Sequence, residues 1–266
     1  MGNFGSYKGL RFERRGGTLI ATIDNPPTNP MTPELHQDLS RLFRDANEDT
    51  EIKVLVLTGA GDSFSSGGNI KNMVRRIDEG RTGEWYHGID EARQILQGVL
   101  RLEKPLISRI NGPAMGLGAT LAVAADFSYM VEDAVIADTH VKVGLVAGDG
   151  GALFWPLLMG YAKARRYLLT GDTLTGREAA EFGLVTEAVS REQLDERVYG
   201  MADRLAKGAT RAIRGTKMAI NALLRSQLEM LVDTHLALET ETYHSKDHSE
   251  AAHAFLEKRK PAFTGE

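Results

Sequence analysis

The chain has 266 residues, a formal net charge of −4, 42% hydrophobic and 26% charged residues, and no cysteine. That size and balance suit a soluble globular protein with a sizeable core, either one large domain or a core with a smaller appendage. Disulfides, thiolate metal sites and a cysteine nucleophile are excluded, and the acidic balance offers no electrostatic ground for nucleic-acid or anionic-membrane binding.

Thr18–Ile23 is a β-like apolar run that stops at the turn cluster Asp24-Asn25-Pro26-Pro27. Thr32-Pro33-Glu34 reads as an N-cap, a proline at the first helical position and a first-turn acid, and Leu35, Leu39, Leu42 and Phe43 form one helical stripe after it. Val54-Leu55-Val56-Leu57 and Leu106–Ile110 are runs of buried-strand type. Residues 73–102 are mostly helical, with Gly80, Gly83 and Gly88 weakening the first part. Phe127–Val131 and residues 134–137 read as a strand pair around the Glu132-Asp133 turn. Thr175 with Glu178, and Ser190 with Gln193, have capping-box spacing. Beyond Ser190 the pattern is helical over 194–206, 209–224, 228–243 and 249–258.

Alternating strands and helices followed by a helical tail predict an α/β core with a C-terminal helical domain, divided as residues 1–195 and 196–266. No run reaches the ~18 apolar residues of a membrane span. The start, Met1-Gly2-Asn3-Phe4-Gly5-Ser6, lacks a basic segment leading into an apolar one, so the expected location is cytoplasmic.

Two segments carry the chemistry. Phe64-Ser65-Ser66-Gly67-Gly68-Asn69-Ile70-Lys71 and Asn111-Gly112-Pro113-Ala114-Met115-Gly116-Leu117-Gly118 each follow a strand and lead into a helix. Backbone N–H groups gather where such helices begin. Two corners facing one another can donate two hydrogen bonds to one carbonyl oxygen and stabilise the charge that develops on it.

These two segments resemble motifs of the crotonase superfamily, the enoyl-CoA hydratase and isomerase family, which read F-[AS]-[AS]-G-x-D-[IL]-K and N-G-x-A-x-G-G-G. The resemblance continues through Gly144-Leu145-Val146-Ala147-Gly148-Asp149-Gly150-Gly151, Leu169-Thr170-Gly171-Asp172, Ala179-Ala180-Glu181-Phe182-Gly183-Leu184-Val185 and Ala254-Phe255-Leu256-Glu257-Lys258-Arg259. It implies a spiral of ββα units with a helical tail that packs trimers, often paired into hexamers. It implies an acyl-CoA thioester as substrate, with coenzyme A as part of that substrate and no cofactor held permanently.

Aligned on the family motifs, the oxyanion donors fall on the backbone N–H of Ser66 and of Leu117. Leu117 stands where glycine is usual, which keeps the amide and narrows the pocket. By the same resemblance Ser66, Gly68, Ile70 and Lys71 line the coenzyme channel. Asn29, Pro30 and Met31 form its other wall, and Lys71 and Lys258 are candidates for phosphate contacts. Asn69 replaces the usual Asp and keeps its capping ability.

The two glutamates that hold water in the family's hydratases fall on Thr120 and His140. Neither is a carboxylate, so the two-glutamate mechanism does not transfer, and the resemblance leaves Thr120 as a substrate contact. Asp149 follows nine positions after His140. A His140–Asp149 dyad that activates water or moves a proton is the physical expectation, because a neighbouring carboxylate fixes the tautomer and stabilises the protonated ring. This spacing is similar to that of relatives that cleave carbon–carbon bonds in β-diketones. Other relatives keep an acid one position earlier, where this chain has Gly148, and a one-residue slip of the loop would bring Asp149 into that role.

The leading expectation is therefore an acyl-CoA enzyme of the hydratase/isomerase type. The alternatives are a β-diketone or thioester hydrolase using the same dyad, and a non-catalytic acyl-CoA binder. No His, Asp or Glu spacing suggests a metal. His36, His87, His235, His244, His248 and His253 are expected to be solvated or structural. Trp155 is a core or pocket-wall candidate and Trp85 a candidate cover for the acyl pocket.

Overall fold

The computed structural model describes residues 4–266. The chain opens with a hairpin of β1 (Leu10–Arg15) and β2 (Thr18–Ile23), followed by the short β3 (Pro30–Met31) and α1 (Pro33–Glu48). Strand β4 (Val54–Gly59) leads through β5 (Gly67–Gly68) to α2 (Ile70–Asp78) and α3 (Trp85–Arg101). Strand β6 (Leu106–Ile110) leads through β7 (Ala114–Met115) to α4 (Leu117–Val123). After β8 (Phe127–Val131) and β9 (Val135–Ala137) come a 3₁₀ turn at His140–Val143, α5 (Gly151–Met159) and α6 (Tyr161–Thr170). Then follow β10 (Leu174–Thr175), α7 (Gly176–Glu181), β11 (Glu187–Val189), α8 (Arg191–Ala206), α9 (Thr210–Tyr243) and α10 (Lys246–Glu257).

The central sheet has the order β1-β2-β4-β6-β8-β11, parallel except for the β1–β2 hairpin. Every residue of β2 and β4 is buried, as continuous apolar runs demand in a parallel sheet covered on both faces. Smaller sheets β10-β9-β7 and β3-β5 lie beside it. Long strand, short strand and helix therefore recur as a ββα unit.

Local signals act where the sequence reading put them. The Thr32 hydroxyl accepts the Leu35 N–H, Asn69 caps α2 through the Asn72 N–H, and Thr175 with Glu178 forms a full capping box. Ser190 precedes α8 without a side-chain cap bond. Three expectations are corrected by long-range pairing. Strands β8 and β9 do not pair: β8 lies between β6 and β11, whereas β9 lies between β7 and β10, so the Glu132-Asp133 turn carries the chain from one sheet to another. The helices expected at 209–224 and 228–243 are one 34-residue helix, α9, because Arg225-Ser226-Gln227 contains no helix breaker. The boundary at 195/196 falls inside α8, which is continuous and packs on the central sheet.

Helix α9 lies along α3, and its Leu228, Val232 and Leu236 join the main core. The C-terminal helices thus return over the core. No described helix is long and apolar enough to cross a membrane.

Candidate active site

The two glycine-rich corners meet. Ser65 forms a parallel bridge with Ala114, and the Met115 N–H donates to the Ser65 carbonyl at 2.9 Å. Gly67 has φ +74°, and a Cβ there would come within 2.6 Å of the Met115 carbonyl oxygen, so only glycine permits this approach. Gly116, at φ +53°, faces the His140 ring: a Cβ at that position would lie 3.6 Å from its Cε1.

Leu117 is the first residue of α4, where an N–H has no acceptor within its own helix, and its side chain is buried at the cavity. Ser66 requires a correction. Its N–H donates to the Thr28 carbonyl at 2.9 Å, so that donor is already used, and Gly68 rather than Ser66 lines the cavity.

His140 begins the 3₁₀ turn after β9 and is buried between two carboxylates. Asp138 Oδ1 lies 2.7 Å from Nδ1 and accepts the His140 backbone N–H at 3.2 Å. On the other side Nε2 stands 3.3 Å from Asp149 Oδ2. Burial disfavours the charged ring, but the charges of Asp149 and Asp138 outweigh it and hold the imidazole pKa well above its ordinary 6.5.

Asp149 is buried, lines the cavity, and keeps Oδ1 without a hydrogen-bond partner among the described residues. Gly150, at φ +117°, separates it from α5, and a Cβ there would meet Thr120 Cγ2 at 2.5 Å. Thr120 packs beneath this turn and is not part of the cavity wall, contrary to the substrate contact expected of it.

A third group was missed in the sequence. Glu239 of α9 is 3% exposed, lines the same cavity, and leaves Oε2 unpartnered among the described residues. Burial, then the nearby Asp149 charge, pushes its pKa well above the usual 4.5, toward the protonated form. The available signal was its position on the apolar stripe Leu228, Val232, Leu236 and Tyr243, where an acid at helical spacing is out of place.

The cavity has a volume of about 180 Å³. Met31, Gly68, Leu117, His140, Asp149 and Glu239 are among the residues that line it. So are two ion pairs, His36 with Glu91 at 2.8 Å and Arg76 with Glu84 at 3.2 Å. His36, half-buried, and His87, exposed as expected, both line the wall. Trp85 also lines it; the ring stacks on Tyr243 with centroids 3.9 Å apart, and Nε1 donates to Thr240 Oγ1 at 3.1 Å. Trp155 is wholly buried in the core.

The remaining expected channel residues divide. Asn29 is fully buried, so it is no wall: Nδ2 donates to the Ala60 and Ser63 carbonyls and Oδ1 accepts the Asn25 N–H. The Pro30 carbonyl accepts from Asn25 Nδ2, and Ile70 starts α2; both adjoin wall residues without lining the cavity. Lys71 and Lys258 are exposed and lie outside the cavity wall.

His140, Asp149 and Glu239 each offer one potential ligand atom, all within 4.8 Å of one another. Both ring nitrogens already face carboxylates, Nδ1 that of Asp138 and Nε2 that of Asp149, so a cation would have to displace one of these contacts.

The ββα fold thus sets a buried carboxylate–imidazole–carboxylate line beside two joined glycine corners, groups whose chemistry is suited to moving protons. Residues 13–266 match the family model described as enoyl-CoA hydratase/isomerase. The probable enoyl-CoA hydratase of Rhodobacter capsulatus is 31% identical over 261 residues, covering 98% of this chain and 99% of the relative. Among solved structures, an enoyl-CoA hydratase/isomerase from Mycobacterium paratuberculosis superposes with a TM-score of 0.87 at 30% identity, covering 92% of this chain and 97% of that one. A β-diketone hydrolase from the cyanobacterium Anabaena superposes with a TM-score of 0.82 at 29% identity, covering 90% and 96%. The chain belongs to the enoyl-CoA hydratase/isomerase family and is an enzyme of that family.

Proposed function

We propose that this enzyme acts on an acyl-CoA thioester, adding or moving a proton at the carbons next to its carbonyl, as hydratases and isomerases of the family do. The observation that carries this reading is the imidazole of His140 packed against Gly116 at the junction of the two corners. In this reading the thioester oxygen takes hydrogen bonds from the Leu117 N–H and the Gly68 N–H, which stabilise the enolate formed when the neighbouring carbon–hydrogen or carbon–carbon π bond gives up its electrons. Gly68 stands in for Ser66, whose N–H is committed to Thr28.

Asp149 Oδ1, unpartnered at the cavity, accepts the proton, and the His140 ring offsets the charge and relays the proton onward. Coenzyme A then runs past Met31 and Gly68, with Pro30 and Ile70 beside them, and the exposed ammonium groups of Lys71 and Lys258 meet its phosphates. The two-glutamate route is not part of this reading, since Thr120 and His140 occupy those positions. The family resemblance also supports a homotrimer or a hexamer of paired trimers. Exposed Ile220, Leu223 and Met230 on α9 are the kind of apolar surface such packing covers.

The test is turnover of crotonyl-CoA and of a 3-enoyl-CoA, with His140→Ala beside the parent enzyme. A loss of about 10²–10⁴-fold is expected for removing the acid–base group. Rapid crotonyl-CoA hydration that survives His140→Ala overturns the assignment.

A second reading is favoured by the imidazole held between two carboxylates and by the likeness to the Anabaena hydrolase. Water activated by the pair adds to one carbonyl of a β-diketone, the corner amides hold the resulting oxyanion, and the carbon–carbon bond breaks. Its electron pair leaves as the enolate of the second carbonyl and is then protonated. Cleavage of a cyclic β-diketone without turnover of either acyl-CoA selects this reading.

A further inference from the structure

We propose that Glu239, reaching the cavity from α9, is a further catalytic residue: its carboxyl delivers the proton to the substrate carbon that carries the enolate charge, beside the Asp149–His140 pair. The proposal rests on the enolate chemistry above, which both readings share.

Four observations converge on this role. Glu239 is 3% exposed yet lines the cavity. Oε2 has no partner, and Glu239 forms no ion pair among the described residues, so no salt bridge accounts for burying it. The Asp149 backbone N–H donates to the carboxyl, but a half-satisfied acid on the stripe that carries Leu228, Val232 and Leu236 costs stability that an apolar side chain would not. The loop opposite is cut back to admit it. A Cβ at Gly148 would meet Glu239 Oε2 at 2.8 Å and the His235 carbonyl at 2.4 Å, so glycine is the residue that lets this carboxyl reach the cavity.

The groups facing Glu239 bear on its proton. Asp138, His140 and Asp149 come from the segment between β9 and α5, His235 stands one turn back on α9, and the His36–Glu91 and Arg76–Glu84 pairs line the same cavity. Burial and the Asp149 charge shift the carboxyl toward its protonated form, the one a proton donor needs.

For hydration the balance closes on one water. Asp149 and His140 take its proton as its oxygen bonds to the β-carbon, and the π electrons move into the enolate. Glu239 gives its O–H proton to the α-carbon as the carbonyl re-forms. The proton held by Asp149 and His140 then returns to the Glu239 carboxylate, over no more than 4.8 Å. For β-diketone cleavage the same O–H protonates the enolate carbon that leaves.

The test compares Glu239→Gln and Glu239→Asp with the parent enzyme on crotonyl-CoA, on a 3-enoyl-CoA and on a cyclic β-diketone in deuterated water. Deuterium entering the α-carbon is read by NMR, and kcat is followed against pH. Expected for Glu239→Gln is a kcat lower by about 10²–10⁴-fold with KM changed less than about threefold, slower deuteration, and loss of the alkaline limb of the kcat profile. Glu239→Asp keeps a carboxyl and recovers part of the rate. A Glu239→Gln enzyme with the parent's kcat, deuteration rate and pH profile overturns the role of Glu239 while leaving the reading of the enzyme intact. A parent enzyme that turns over none of these substrates removes both.

Discussion

Asp138 Oδ1 lies 2.7 Å from His140 Nδ1 and also accepts the His140 backbone N–H, so one oxygen anchors the ring and the turn that carries it. Asp138 is buried and does not line the cavity, which makes it a positioning residue. Asp138→Asn removes its charge and keeps its shape. Expected is a fall in kcat of about 10–10³-fold, from loss of tautomer and charge control. The His140-dependent limb of the pH profile moves to lower pH, because one of the two carboxylates that raise the ring's pKa has gone. A purely structural role for Asp138 would lower Tm and leave that limb where it is.

Gly151 sits against the same carboxylate. A Cβ there would fall 1.8 Å from Asp138 Oδ2, so Gly151→Ala must push the Asp138 side chain away. Overpacking of this kind costs about 1–3 kcal/mol, visible as a lower midpoint in urea, and activity falls with it. Gly215→Ala is the control: Gly215 is exposed within α9, and a Cβ there meets nothing within 4 Å. It is expected to raise stability by about 0.5–1 kcal/mol by restricting the unfolded chain.

The paired titrations give stability a direction with pH. Glu239 and His140 both have folded-state pKa values above their ordinary 4.5 and 6.5, so at these two sites the folded protein binds more protons than the unfolded chain. Stability from Glu239 is fully present below 4.5, and that from His140 below 6.5. Each is lost as pH rises through the raised value. These two sites therefore pull Tm down from mildly acidic toward alkaline pH, against the opposite pull of His235 and His248, whose pKa values burial lowers, and Glu239→Gln is expected to weaken the downward pull. A Tm that rises over that interval, equally in both proteins, contradicts the assignment.

Asn29 belongs to the frame rather than to the coenzyme channel. Its φ of 55° and its amide bonds to Ala60, Ser63 and Asn25 hold the loop that precedes β3. Asn29→Ala is expected to cost about 2–4 kcal/mol, through stranded buried carbonyls and a strained backbone. KM for the folded fraction stays unchanged. A variant of parent stability with a raised KM would return Asn29 to the coenzyme wall.

What the sequence determined by itself was local. The caps at Thr32, Asn69 and Thr175 act within one helical turn, the buried runs of β2 and β4 follow from continuous apolar composition, and Gly67 and Gly116 announce corners because their conformations exclude other residues. The His140–Asp149 spacing was legible for the same reason, since both lie on one short segment. Tertiary structure alone decided what depends on distant partners. The Ser66 N–H goes to Thr28 because β3 and β5 pair across an intervening helix and strand. Glu239 reaches Asp149 because α9 continues unbroken and its apolar stripe seats against the core, carrying one acid in with it. Side chains set far apart along the chain share a cavity only once burial of apolar surface has fixed which helix covers which strand.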